Sequence, residues 1–205
     1  MRIGILADIH DEVDHLKAAL SGFGDLAVDR IVSLGDAFDT FRSGEPGVEV
    51  ARLLQDAESI GVWGNHDFKL SSETPAVLHK QADPSLLEFS QTLKPWLALE
   101  NSRFSHLAAW LEADSKEAVW PMTVIPGASQ PAGAFFDTIP ENFLFVGHFH
   151  CWAAVTPAGP LSWNGEGKLA LNRKDKHLIM VGAVADGWSA VFDTDTAVLT
   201  PVRNI

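Results

Sequence analysis

Three short apolar runs, at residues 2–7, 30–34 and 59–63, each end in a cluster of carboxylate, imidazole or amide side chains. The clusters are Asp8-Ile9-His10, Gly35-Asp36-Ala37-Phe38-Asp39 and Gly64-Asn65-His66-Asp67. Runs of this length are too short for helices and suit buried strands. Between the first two, Val13, Leu16, Leu20 and Phe23 recur at helical spacing, with Asp11 and Glu12 where acids favour a helix amino terminus and Gly22 and Gly24 near its end. Residues 48–57 repeat the pattern with Val50, Leu53 and Leu54. A β-α-β-α-β order with short connections predicts parallel strands, whose carboxyl ends form the ligand crevice of an open α/β sheet. All three clusters are therefore expected at one sheet edge.

Further along, residues 84–93 read as a helix and 101–107 and 143–146 as strands. The stretch 129–140 reads as a loop or short helix. Residues 177–181, 188–193 and 197–202 read as short strands, separated by Gly187 and an Asp193-Thr194-Asp195 turn, so the carboxyl-terminal part is β-rich. With no repeat, linker or break in composition, the 205 residues are expected to form one domain, 1–205. Fifteen Lys and Arg against 27 Asp and Glu give a formal charge of −12, which speaks against a nucleic-acid polymer as partner. The single cysteine, Cys151, excludes an intrachain disulfide and suits a reducing compartment. The amino terminus lacks a secretory pattern, and no apolar run approaches the roughly 20 residues that span a bilayer. A cytoplasmic protein without a membrane partner is expected, and nothing in the sequence fixes its oligomeric state.

A fourth cluster, Gly147-His148-Phe149-His150, follows the 143–146 strand, and in an extended segment its two histidines point the same way. The combined donor set is rich in carboxylate and imidazole and poor in sulfur, a composition that suits Mn, Fe, Zn or Ni. It is also too large for one closed tetrahedral site. A bridging carboxylate such as Asp36 would let two cations sit roughly 3.5–4 Å apart, the arrangement that activates water and stabilises both oxygens of a phosphoryl displacement.

Taken in order, Asp8-x-His10, Gly35-Asp36-x-x-Asp39, Gly64-Asn65-His66-Asp67 and Gly147-His148-x-His150 resemble the motifs of the calcineurin-like metallophosphoesterase superfamily, over nearly the whole chain. The size resembles its small bacterial and archaeal phosphodiesterases. The resemblance implies an α/β (α+β) fold, a two-sheet β-sandwich flanked by helices in α-β-β-α order. It implies two divalent cations, Mn foremost with Fe, Zn or Ni as alternatives. The first would be held by Asp8, His10, Asp36 and His150, the second by Asp36, Asn65, His106 and His148. A bridging hydroxide would attack, His66 would face the leaving-group oxygen, and Asp39 would orient its ring. His106 is preferred to His79, although Leu107 follows it where the family commonly has glycine. A second departure is Met180-Val181-Gly182-Ala183, where many relatives carry an Asn-Pro-Gly-Ser turn.

The activity implied is hydrolysis of a small phosphoester, with a diester preferred. A phosphomonoesterase or phosphatase of the same superfamily and a non-catalytic metal-binding scaffold are the alternatives. The protein Ser/Thr phosphatase branch is disfavoured, because Thr40-Phe41 follows Asp39 and the third motif ends in Asp67. Arg42, Lys69 and Arg103 are candidate phosphate contacts or ordinary solvated charges, and Trp63 and Trp152 candidate walls, although aromatic residues beside strand ends are more often core. His15 is expected to be solvated, His177 structural, and Cys151 a small buried residue.

Overall fold

A computed structural model describes residues 1–42, 44–67, 70, 82–106, 136–137 and 139–204. His79, Lys69 and most of 129–140 lie outside the described residues. Two six-stranded sheets pack face to face. The strands are β1 (Arg2–Leu6), β2 (Arg30–Ser33), β3 (Ile60–Gly61), β4 (Trp96–Leu99), β5 (Ser102–Ser105), β6 (Phe143–Val146), β7 (Ala153–Thr156), β8 (Gly159–Pro160), β9 (Leu169–Ala170), β10 (His177–Met180), β11 (Trp188–Asp193) and β12 (Val198–Arg203). One sheet runs β3-β2-β1-β11-β12-β9 and the other β4-β5-β6-β10-β7-β8. Three helices are described: α1 (Val13–Asp25), α2 (Pro46–Asp56) and α3 (Pro84–Thr92). Pro46 and Pro84 each stand in the first turn of their helix, where the missing N–H costs no hydrogen bond.

Strand alternation assigns the side chains to layers. In β1, Ile3 and Ile5 enter the core between the sheets while Leu6 faces the helices. In β6, Phe143 and Phe145 enter the same central core, and Leu144 and Val146 point out to meet Phe136 and Ile139. The helices close the outer face of the first sheet through Leu16, Phe23, Val50, Leu54, Leu86 and Phe89. Each such side chain, fully buried, contributes about 1.5–3 kcal/mol.

The strands that matter for the site are parallel within each sheet. β2 pairs in parallel with both β1 and β3, and β6 with both β5 and β10. Their carboxyl ends lie together because the sheets are tied there. The His106 Nδ1 lies 2.8 Å from the Leu34 carbonyl oxygen, and the His148 backbone N–H donates to both oxygens of Asp8 at 2.9 Å.

Candidate metal centre

Each motif residue of the third cluster has a separate structural task. A Cβ on Gly64 would lie 2.1 Å from Asp36 Oδ1, so only glycine lets this turn pass the Asp36 carboxylate. Asn65 turns its Oδ1 to His106 and His148, and the His66 backbone N–H donates to Asp36 Oδ1 at 2.8 Å. Asp67 is fully buried and accepts from the backbone N–H groups of Ala37 (2.9 Å), Phe38 (3.3 Å) and Gly64 (3.0 Å). It clamps the second cluster to the third. Burial, then the nearby Asp36 charge, raises the Asp67 pKa against the pull of those donors.

Asp67→Ala would orphan three buried N–H groups, each costing about 1–3 kcal/mol, so a loss of about 3 kcal/mol or more is expected. Denaturant titration of the metal-free protein measures it. A loss below about 1 kcal/mol would show that water satisfies the donors equally well.

The donors gather into two groups. Asn65 Oδ1 lies 3.0 Å from both His106 Nε2 and His148 Nδ1, those two nitrogens are 3.3 Å apart, and His106 Nε2 is 3.3 Å from Asp36 Oδ2. Two donors each about 2.1 Å from a cation are about 3.0 Å apart at a right angle and about 3.4 Å apart at the tetrahedral angle. The four atoms therefore have the spacing of one coordination shell. Asp8, His10 and His150 form the other group, more open: His150 Nε2 is 3.8 Å from Asp8 Oδ1, and His10 Nε2 is 3.8 Å from Asp36 Oδ2. Asp36 touches both groups. These seven side chains fit divalent cations, since they offer oxygen and nitrogen donors and no thiolate. The His106 Nδ1 hydrogen bond to Leu34 further leaves Nε2 facing the donor group, as outer-sphere partners of metal-bound histidines do.

The same residues perturb one another electrostatically. Burial disfavours the charged form of His106, yet Asp36 beside it raises its pKa to about 9. In the same pair Asp36 is lowered, burial being outweighed by the His106 charge and hydrogen bond. Burial raises Asp8. The backbone is strained at the same places: Asp8, His10, Asp36, His148 and His150 have φ of 50°, 47°, 50°, 67° and 49°, in the left-handed region.

His66 stands outside the donor groups, its Nδ1 2.6 Å from Asp39 Oδ1 and its side chain 43% exposed. Asp39 also reaches back to His10 Nδ1, at 3.1 and 3.2 Å. All nine side chains singled out from the sequence thus converge.

Several neighbouring expectations change. His15 is not simply solvated, because its Nδ1 lies 3.1 Å from the Ala185 carbonyl oxygen. Arg103 is engaged elsewhere, paired with Glu141 at 3.0 Å and stacked on Trp96 at 4.1 Å. Trp63 is core, the commoner reading for an aromatic residue beside a strand end, while Cys151 is half-buried rather than buried. Trp152 packs on Gly182, where a Cβ would come within 2.5 Å of its Nε1, which explains the glycine in the altered turn. Asp186, with Oδ2 3.6 Å from His150 Nδ1, was not foreseen, since an Ala-Asp-Gly sequence reads only as a turn.

The family model for the calcineurin-like phosphoesterase superfamily domain matches residues 1–181. The chain is 27% identical over 194 residues to the uncharacterized protein MJ0912 of Methanocaldococcus jannaschii, covering 89% of this chain and 75% of that one. Among solved structures it resembles a metallophosphoesterase from Sphaerobacter thermophilus, with a TM-score of 0.76, 23% identity, and coverage of 100% of this chain and 88% of that one. It also resembles a novel archaeal phosphodiesterase, with a TM-score of 0.55, 13% identity and 99% of each chain covered.

Proposed function

The chain belongs to the calcineurin-like phosphoesterase superfamily, and from that premise we propose that it hydrolyses a small phosphodiester at a centre of two divalent cations, Mn foremost. The observation that carries the reading is the His66–Asp39 pair, 2.6 Å apart and open to solvent beside the donor groups. When bound, the cations supply Lewis-acid stabilisation of the phosphoryl oxygens and an activated water. The chain's own part is to hold them, with Asp8, His10, Asp36 and His150 at the first position and Asp36, Asn65, His106 and His148 at the second. His66 then donates a proton to the departing oxygen, and Asp39 fixes its ring by accepting from Nδ1.

Two observations favour a diester over a monoester. The described rim sets Asp39 and Asp186 against Arg42, with Arg103 committed to Glu141, and this balance suits a monoanionic substrate better than a dianionic one. A cavity of about 300 Å³ also opens beside Asp39, lined by Thr40, Phe41, Arg42, Glu45, Leu70 and Ala82, with room for an esterifying group on the leaving side. Arg42, on the wall of this cavity, is the phosphate contact within the proposal. A cytoplasmic location is part of the same proposal; among the described residues, no helix is long and apolar enough to cross a membrane.

The test is turnover of a nitrophenyl phosphodiester and the matching monoester with each metal in turn. Diester turnover that depends on added metal is expected. Faster monoester turnover would assign a phosphatase, and metal binding without turnover of either ester would assign a scaffold. The bridging role of Asp36 has its own check: Asp36→Asn should lower the ratio of bound metal per chain from two toward zero by elemental analysis, whereas a variant retaining both ions would remove the bridge.

A further inference from the structure

The histidines of the two proposed metal positions are backed by different chemistry. At the second, His106 leans through Nδ1 on a neutral backbone oxygen, that of Leu34. At the first, both histidines face carboxylates, His10 within hydrogen-bond distance and His150 just beyond it. His10 has Nδ1 at 3.1 and 3.2 Å from Asp39 and Nε2 toward Asp36, and His150 has Nδ1 at 3.6 Å from Asp186 and Nε2 toward Asp8. Their rings lie 5.2 Å apart.

Asp186 is held to the frame of the ligand it would serve. The Val184 N–H donates to Ala7 O at 2.7 Å, and the Ala185 N–H donates to the backbone oxygen of Asp8 at 3.1 Å. His15 lies against the Ala185 carbonyl, and an Arg203 guanidinium N–H donates to the Asp186 carbonyl at 2.9 Å. Residues 183–187 therefore form a strap fastened to the Asp8 main chain and to α1 and β12. The strap directly follows the turn in which this chain departs from many relatives. Among the carboxylates near His150, it is the Asp186 of this strap that faces Nδ1, while Asp8 faces Nε2.

We propose that Asp186 is a positioning residue for the first metal position, holding His150 through Nδ1 so that Nε2 presents to the cation, in parallel with Asp39 at His10. The inference rests on the metal reading above. A carboxylate on the far nitrogen fixes the tautomer and ring angle of a ligating histidine and makes the near nitrogen a stronger donor, and its removal costs about 10–100-fold in metal affinity. The Asp186 side chain is 57% exposed, so solvent screening puts its effect at the lower end, about tenfold.

The experiment measures Mn²⁺ affinity by calorimetry with chelator competition in two backgrounds. His148→Ala leaves the first position alone, and His10→Ala leaves the second. Asp186→Asn keeps an acceptor for Nδ1 and loses the charge; Asp186→Ala loses both. In the first background, Asp186→Asn should weaken Mn²⁺ binding about tenfold and Asp186→Ala by at least as much, while Asp186→Glu recovers part of the loss. In the second background all three should bind as their parent does. Equal weakening in both backgrounds would reduce Asp186 to a general surface charge, and no weakening in either would overturn the proposal. An unmutated chain that binds no Mn²⁺ would overturn the metal reading and this inference together, an outcome distinct from metal bound normally with Asp186 silent.

Discussion

His66→Ala should lower kcat/KM for an alkyl or nucleoside phosphodiester by about 10²–10⁴-fold while affecting a nitrophenyl ester far less. In the proposed reaction, cations held there would assist the attacking and phosphoryl oxygens, which leaves the departing alkoxide as the atom in need of a proton. A nitrophenolate leaves without one. His66 is placed for the task by its neighbours: its backbone N–H is fixed on Asp36, its Nδ1 on Asp39, and its ring stands edge-on to His10 with centroids 4.9 Å apart. Metal content should be unchanged in the variant. Comparing the two esters in parent and variant at matched metal content decides the matter. Equal losses would make His66 a phosphoryl-positioning group, and a lost ion would make it a ligand. Asp39→Asn should show the same leaving-group dependence at smaller size, together with weaker metal binding, because Asp39 touches His10 as well.

The second large effect is on stability. Asp8, Asp36 and Asp67 are buried close together, with Asp39 beside them at the surface, and in the metal-free protein His106 is the buried positive partner that Asp36 and Asp8 face. Two divalent cations bound as proposed would add about four positive charges to this edge. Each ion, at 100 times its dissociation constant, stabilises the folded state by about 2.7 kcal/mol, and a chain of this size gains about 2–4 °C in Tm per kcal/mol. Metal-saturated protein should thus melt about 10–20 °C above protein stripped by chelator. Scanning calorimetry of the two forms measures it, and coincident transitions would mean that the donor groups do not hold cations tightly in the folded state.

Much of the fold was legible in the sequence where burial on both faces leaves a continuous apolar run. That holds for β1, β2, β6 and β10, which lie between two layers, and for α1 and α2, whose apolar stripes face one sheet. The predicted boundaries shifted by one or two residues, with α1 opening at Val13 and α2 at Pro46. Four strands escaped notice: β7, which lies between β10 and β8, and the more peripheral β4, β8 and β9. In β4, Trp96 and Ala98 are exposed; β8 contains Pro160; and β8 and β9 are only two residues each. β4 and β8 pair locally, in tight hairpins with β5 and β7, but lack an apolar run to announce them, whereas β9 depends on its distant partner β12.

The site was more legible than the edges because its residues follow strands whose direction the β-α-β order fixes. His106 was harder, lacking its following glycine, and geometry supports it through Leu34 and Asn65. The strap that carries Asp186 was invisible, since its hydrogen bonds to residues 7, 8, 15 and 203 depend on the assembled fold.

The left-handed turns at Asp8, His10, Asp36, His148 and His150 bear on how such a centre is inherited or moved. Each holds a side-chain-bearing residue in a conformation that costs about 1–2 kcal/mol, so the ligand set opposes folding through its backbone as well as its charge. A lineage released from selection for chemistry would gain stability by exchanging His10 or His150 for glycine. Asp8 and Asp36, by contrast, also hold the backbone N–H groups of His148 and His66, so decay of the centre is downhill first at the histidines. Transplantation faces the opposite slope. Copying the seven side chains onto another parallel sheet would fail unless the five turns travelled with them.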